Sequence, residues 1–292
     1  MTFRTRTLSL TLLLVGLIPL AAHADPPVPI DASMTDAATL RYQYTAGQVD
    51  AWRMQMVQNI TMSGAGMPDN TTTESTMTMD TTQTVQSVDE SGTATISQAI
   101  SNTSVEMNVG GMEIPGDEVA NMLNGLTVQM QITNRGEVLD TQMGEISDPM
   151  MAQMMGSLED SFSQMTLTFP EEAIPVGHTW TEDLPMDMNQ PGLDMDSSTT
   201  ATYTFLGYAN VEGTPMAVIE SAITLTMSGD VSEMGASATV EGNGTGHGYT
   251  YFDNGSGTMH SGTVDMTVNV HLEGSGMTLD QAMDMQVSIT KI

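Results

Sequence analysis

Thr263-Val-Asp-Met-Thr-Val-Asn-Val-His-Leu272 alternates without a break. Val264, Met266, Val268, Val270 and Leu272 share one parity; Thr263, Asp265, Thr267, Asn269 and His271 share the other. Successive side chains on a strand point to opposite faces, so this run builds a strand with one dry and one wet face. The same alternation recurs at Trp52, Met54, Met56, Ile60 and Met62, at Leu126, Val128, Met130 and Ile132, and at Met283, Met285, Val287 and Ile289. The chain has 29 methionines, and this parity puts most of them on the inner wall of a sheet.

Extending the reading outward predicts strands at 39–45, 51–62, 74–88, 93–100, 104–109, 126–133 and 137–142. A second series is predicted at 178–183, 199–209, 215–227, 236–252, 258–272 and 281–291. Turn signals separate them, among them Asp89-Glu-Ser-Gly92, Asn134-Arg-Gly136, Glu212-Gly213 and Asp253-Asn-Gly255. Strands joined by short turns pair antiparallel. One amphipathic helix is predicted at about 149–165: Asp148 supplies an N-cap and Pro149 fits the first turn. Met151, Met154, Met155, Leu158 and Phe162 then recur at three- and four-residue spacing. A shorter helix is predicted from Asp117 to Asn124, ended by Gly125.

The N-terminus reads as an export signal. Arg4 and Arg6 precede the short apolar run Leu8–Leu20, and Ala22-His-Ala24 is a small-residue cleavage site. The run is too short to span a bilayer as a helix. The predicted organisation is a signal peptide over 1–24, a first β half over 25–145, a linking amphipathic helix over 146–168 and a second β half over 169–292. The two halves form one domain, and the expected location is periplasmic or secreted. There is no cysteine, so neither a lipidated N-terminus nor a disulfide is expected.

The net charge is −30, and beyond residue 24 only Arg41, Arg53, Arg135 and Lys291 are basic. Phosphate backbones and anionic membrane surfaces need basic patches, so nucleic acid is excluded as a partner and stable membrane insertion is not expected.

The halves carry an echo of each other. Ser91-Gly-Thr93 resembles Glu212-Gly-Thr214, Asn134-Arg-Gly136 resembles Asp253-Asn-Gly255, and Gly47 before Trp52 resembles Gly177 before Trp180. Similar turns in the same order at similar separations predict two pseudo-repeats. The fold class expected is therefore mainly β: a curved antiparallel sheet or half-barrel from two pseudo-repeats, with an amphipathic helical lid.

The segment Phe169-Pro-Glu-Glu-Ala-Ile-Pro175-Val-Gly-His-Thr-Trp180 resembles a recurring phrase in uncharacterised secreted bacterial β-proteins: a proline, a Val-Gly, then a Thr-Trp. It follows an Asn-Arg-Gly hairpin signal, as it does in that family. The resemblance covers most of the chain beyond residue 24. It implies a curved antiparallel sheet with a helical cover, similar to the lipoprotein-carrier (LolA-like) fold of periplasmic lipid-handling proteins. It transfers no catalytic residue.

Catalytic motifs are weak. No G-x-S-x-G elbow is present; Gly235-Ala-Ser237-Ala lacks the second glycine. Gly242-Asn-Gly-Thr-Gly-His-Gly248 lacks a following Lys-Ser/Thr and leads into a strand, so it reads as a bend in a curved sheet and not as a phosphate cradle. His247 reads as part of that bend. Asp187–Asp196 spaces oxygens like a calcium loop, but Pro191 and Ser198 stand where ligands belong. The M-x-M pairs Met54/Met56, Met77/Met79, Met186/Met188 and Met283/Met285 could present thioethers to a soft metal such as Cu(I). A plain apolar face requires the same spacing.

The function expected is non-catalytic binding of an apolar or lipid-like ligand in a methionine-lined groove, with no cofactor and no metal. Methionine suits such a wall because it is flexible and polarisable. The expected wall is Trp52, Met54, Met56, Met130 and Met266. The expected gate is Met151, Met154, Met155, Leu158 and Phe162. A structural β-protein with a packed core and a copper binder are the alternatives.

Overall fold

The alternating runs pair into one antiparallel sheet. The computed structural model describes residues 26–64, 71–143, 166–184, 193–233, 236–274 and 277–292. Among these are twelve strands: β1 (Val49–Gly64), β2 (Thr71–Val88), β3 (Ala94–Val109), β4 (Met112–Pro115), β5 (Thr127–Ile132), β6 (Val138–Met143), β7 (Thr179–Asp183), β8 (Leu193–Val211), β9 (Thr214–Glu233), β10 (Ala236–Asp253), β11 (Thr258–Gly274) and β12 (Met277–Lys291). The one helix among the described residues, α1 (Asp117–Leu123), follows β4. The predicted lid over 149–165 lies outside the described residues.

The strand order is β6-β5-β3-β2-β1-β12-β11-β10-β9-β8-β7, with β4 also on β3. This is the order of an up-and-down barrel opened at one seam. β1 pairs with β12, as barrel closure requires, while β6 and β7 form the two edges. The sheet is therefore not closed. It is nevertheless rolled: Met130 and Ile132 of β5 and Ile223 of β9 line one chamber. Those strands are seven steps apart, which in a flat sheet would separate them by about 34 Å.

The local geometry of the first half recurs in the second. Register shifts fall at Val85/Ser87 in β2 and Phe205/Gly207 in β8, and at Gln131/Ile132 in β5 and Tyr251/Phe252 in β10. Each pair lies 120 residues apart (85 and 205, 132 and 252). Gly47 N–H donates to Val85 O, and Gly177 N–H donates to Phe205 O. Both glycines have positive φ, 84° and 83°, where a side chain would be strained. Glu212 and Gly213 close the β8–β9 hairpin with φ of 53° and 89°, the two left-handed residues of a type I′ turn.

Three expectations change. Residues 39–45 alternate but join no ladder. Tyr42 N–H donates to Asn134 O in the β5–β6 turn, and Gln43 N–H donates to Gly257 O in the equivalent β10–β11 turn. This strap crosses one end of the roll, where Leu40, Phe169, Phe205 and Phe252 form a buried plug. The two strands expected over 93–109 are one, β3, interrupted by Asn102 at φ 53°. The glycine run at 242–248 is not a bend: β10 pairs with β11 through it without a break in register. A Cβ on Gly242 would fall 2.5 Å from the Met227 side chain, and one on Gly244 3.0 Å from Val268. The bare face lets neighbouring side chains lean across it. His247 accordingly sits in a strand, buried, with Nε2 2.6 Å from Glu220 Oε1.

The inner face carries a long apolar row in which Met227, Met266, Met283 and Met285 are each less than a tenth exposed. On the outer face, Val28 and Ile30 pack over Val218, Tyr249 and Tyr251. Val28 N–H is tied to the Tyr251 hydroxyl at 3.0 Å.

Candidate binding chamber

The rolled sheet and its strap frame a partly open chamber of about 190 Å³. Inward positions of successive strands supply its apolar wall: Trp52 and Met54 from β1, Ile96 from β3, Met130 and Ile132 from β5, Ile223 from β9, Val264 from β11, and Val287 and Ile289 from β12. Leu167 and Leu184 reach in from the two sides of the seam.

Hydrogen bonds fix the mouth and the plug. Trp52 Nε1 donates to Met259 O at 3.0 Å. Lys291 Nζ lies 5.9 Å from the Trp52 ring centre, pairs with Asp50 at 2.7 Å and donates to Thr258 Oγ1 at 3.2 Å. Burial of Asp50 against the chamber is thereby neutralised. Trp180 Nε1 donates to Thr168 O at 2.9 Å and Arg135 Nε to Phe169 O at 2.8 Å. Arg41 binds the carbonyls of Leu40, Pro170 and Glu171. Two of the four arginine and lysine residues beyond residue 24 thus hold the 167–171 segment across the seam, where it replaces strand pairing between β6 and β7.

One end of the chamber is aromatic and polar. Tyr42 stacks on Tyr44 at 6.0 Å and meets Phe252 edge-on at 5.2 Å. Its hydroxyl donates to Leu167 O at 3.2 Å. Burial raises the Tyr42, Tyr44 and Tyr203 hydroxyls well above the usual phenol range, so all three keep their protons. Burial also raises the Glu182 carboxyl, against hydrogen bonds from Thr168 and the Arg135 charge.

Of the expected wall, Trp52, Met54 and Met130 line this chamber. Met56 and Met266 lie farther along the same inner face, packed with Val268, Met283 and Met285. The expected gate, Met151, Met154, Met155, Leu158 and Phe162, lies outside the described residues. Tyr44, Tyr203, Gln83, Gln98 and Ile223 also line the chamber and were missing from the expected set. Continuing the inward parity of 74–88, 93–100 and 199–209 would have found all but Tyr44 and Ile223.

A second concavity of about 650 Å³ lies on the wet face at the far end, lined by Asp196, Glu241, Asn243, Asn269, His271 and Asp280 among others. Its His271 Nδ1 and Asp280 Oδ1 already pair at 2.6 Å. No group of three or more His, Cys, Asp or Glu side chains is placed to hold a metal among the described residues. No described helix is long and apolar enough to cross a membrane, which says nothing about spanning by strands.

No curated protein matches the chain. Among solved structures, one that is similar is lipovitellin, studied for its lipid–protein interactions. It shares 11% identity at a TM-score of 0.45 over 86% of this chain, which spans 25% of the lipovitellin chain. Another is an outer membrane channel from Pseudomonas putida F1, with 8% identity at a TM-score of 0.23, over 86% of this chain and 97% of the channel. The profile of a family of unknown function, DUF6263, matches residues 55–259, well over half the chain, and the protein belongs to that family.

Proposed function

We propose that this protein is exported by its N-terminal signal and binds an apolar or lipid-like ligand, without turning it over, in the chamber between the rolled sheet and its strap. The observation that carries the reading is a partly open space of about 190 Å³ walled by Trp52, Met54, Met130, Ile223 and Ile289. Apolar cavities of about 150 Å³ already stay dry and take up a benzene-sized guest. Three flexible methionines in the lining, Met54, Met130 and Met259, suit a guest of variable shape. Binding without chemistry fits the lining. Among the described residues it contains no histidine, and its one carboxylate, Asp50, is paired with Lys291.

Uptake of N-phenyl-1-naphthylamine by the purified exported chain tests this. Fluorescence enhancement is expected in the native protein. Ile223→Trp, which fills the chamber, is expected to abolish it while far-ultraviolet circular dichroism stays unchanged. No enhancement by the native protein, or full enhancement by the variant, would overturn the reading.

A further inference from the structure

The polar atoms of the chamber set a second requirement on its occupant. Tyr44 and Tyr203 both line it. Tyr44 stacks on Tyr42, and Tyr203 meets Trp180 at a tilt with ring centres 5.5 Å apart. Neither hydroxyl has a hydrogen-bond partner among the described residues. Tyr42, stacked on Tyr44, spends its own hydroxyl on Leu167 O. Gln83 and Gln98 face each other across β2 and β3 and also line the chamber. Their amides too have no partner among the described residues. These donors face the chamber without a partner among its described residues, and a guest that accepts from them gains what a pure hydrocarbon cannot.

We propose that the ligand is a neutral acyl amphiphile whose ester carbonyl accepts hydrogen bonds from Tyr44 and Tyr203 while its hydrocarbon lies against Trp52, Met54 and Met130. This rests on the chamber being the binding site. The donors are protonated phenols, so the guest must supply an acceptor. A carboxylate would supply one, but it would enter a protein of net charge −30 and approach Glu182, and burial there disfavours a second negative charge. A cationic head has no unclaimed counter-ion at the wall, because Asp50 is held by Lys291 and by Gln48 Nε2 at 2.6 Å.

Displacement of N-phenyl-1-naphthylamine from the exported chain at pH 8 reads the preference. Methyl octanoate is expected to displace the dye at least tenfold more effectively than octanoate or octylamine. Tyr44→Phe and Tyr203→Phe each remove one oxygen. Each is expected to weaken methyl octanoate roughly fivefold more than it weakens the dye, the worth of one neutral hydrogen bond, with the far-ultraviolet dichroism unchanged. Preference for octanoate or octylamine over the ester overturns the proposal, as does equal displacement by methyl octanoate before and after both substitutions. In those cases dye binding persists and the chamber reading stands. Failure of the native protein to bind the dye removes both.

Discussion

The two halves share turns and bulges 120 residues apart, yet they treat the same inward positions differently. Val128, Met130 and Ile132 fill the inner face of β5, buried to 0%, 4% and 2% exposure. Their counterparts on β10 are Gly248, Thr250 and Phe252. One half thus contributes bulk to the wall. The other contributes bare backbone, a hydroxyl and a single large ring. Strand length diverges as well: among the described residues β10 and β11 have 18 and 17, whereas their counterparts β5 and β6 have six each. A repeated scaffold joins its two copies through β1 and β12. The differences between the copies leave a space inside it.

The largest effect expected from breaking this comparison is at the equivalent pair Phe252 and Ile132. Phe252 is fully buried between Tyr42 and Phe169, with ring centres at 5.2 and 4.7 Å. It anchors the strap to the second half. Phe252→Ala should cost about 4 kcal/mol and Ile132→Ala about 3 kcal/mol, both measured by urea unfolding. The sharper readout is the strap. Phe252→Ala should also expose Tyr42 and Tyr44 to solvent, seen as loss of near-ultraviolet dichroism under native conditions, and Ile132→Ala should not. Equal loss in both variants would mean that the plug belongs to neither half in particular.

A smaller difference is an ion pair private to the first half. Asp80 sits at a register shift in β2, with its side chain only 8% exposed, and takes two hydrogen bonds from Arg53 at 2.7 and 2.9 Å. Asn102 adds a third at 2.9 Å from the left-handed residue that interrupts β3. The position 120 residues on is Thr200, which carries no charge. Arg53 and then Asn102 hold the Asp80 carboxyl below the usual carboxylate range. A depressed folded-state pKa gives stability that is fully present above the unfolded value of about 3.9 and is lost as pH falls through the folded value. Asp80→Asn should cost about 1–2 kcal/mol at neutral pH, because Arg53 is half exposed and can be rehydrated. The difference from the native protein should close below about pH 4 in acid unfolding. A gap that persists at pH 2 would assign the cost to packing and not to charge.

Much of this architecture was legible because parity is local. The inner rows at Trp52, Met54 and Met56 and at Val264–Leu272 follow from alternation alone, and the paired turn signals pointed to two copies. The strap misled because Leu40, Tyr42 and Tyr44 alternate as a strand does, while their backbone partners are two turns far away in sequence. The glycine run misled for the opposite reason. Missing side chains in a sequence suggest a break, whereas a Cβ at Gly248 would sit 2.0 Å from Thr263 O, so the bare face is a packing requirement of a paired strand. Which inward residues share the chamber depends on how far the sheet rolls. No window of sequence reports that, so parity alone groups Met56 and Met266 with Trp52 although they lie farther along the wall.

The smallest effect expected contrasts the wet far end with the chamber. His271 and Asp280 pair across β11 and β12 at 2.6 Å, much like Arg53 and Asp80, but both side chains are largely exposed. The Asp280 hydrogen bond, and then the charges of Asp280, Glu273 and Glu241, raise the His271 pKa above its usual value. A raised folded-state pKa gives stability present below about pH 6.5 and lost as pH rises through the folded value. Solvent competes for both partners and salt screens the field, so the contribution should be near the limit of detection. Asp280→Asn should therefore lower the His271 titration midpoint in an NMR titration at low salt, while unfolding at pH 5 and pH 8 stays the same. Part of the shift should survive the substitution, because Glu241 and Glu273 remain. Adding salt should remove that remainder, since it comes from through-space charge alone. A midpoint that does not move would mean the pair is not formed in solution. A clear loss of stability at pH 5 would mean that the wet face contributes to holding the roll together, which its exposure argues against.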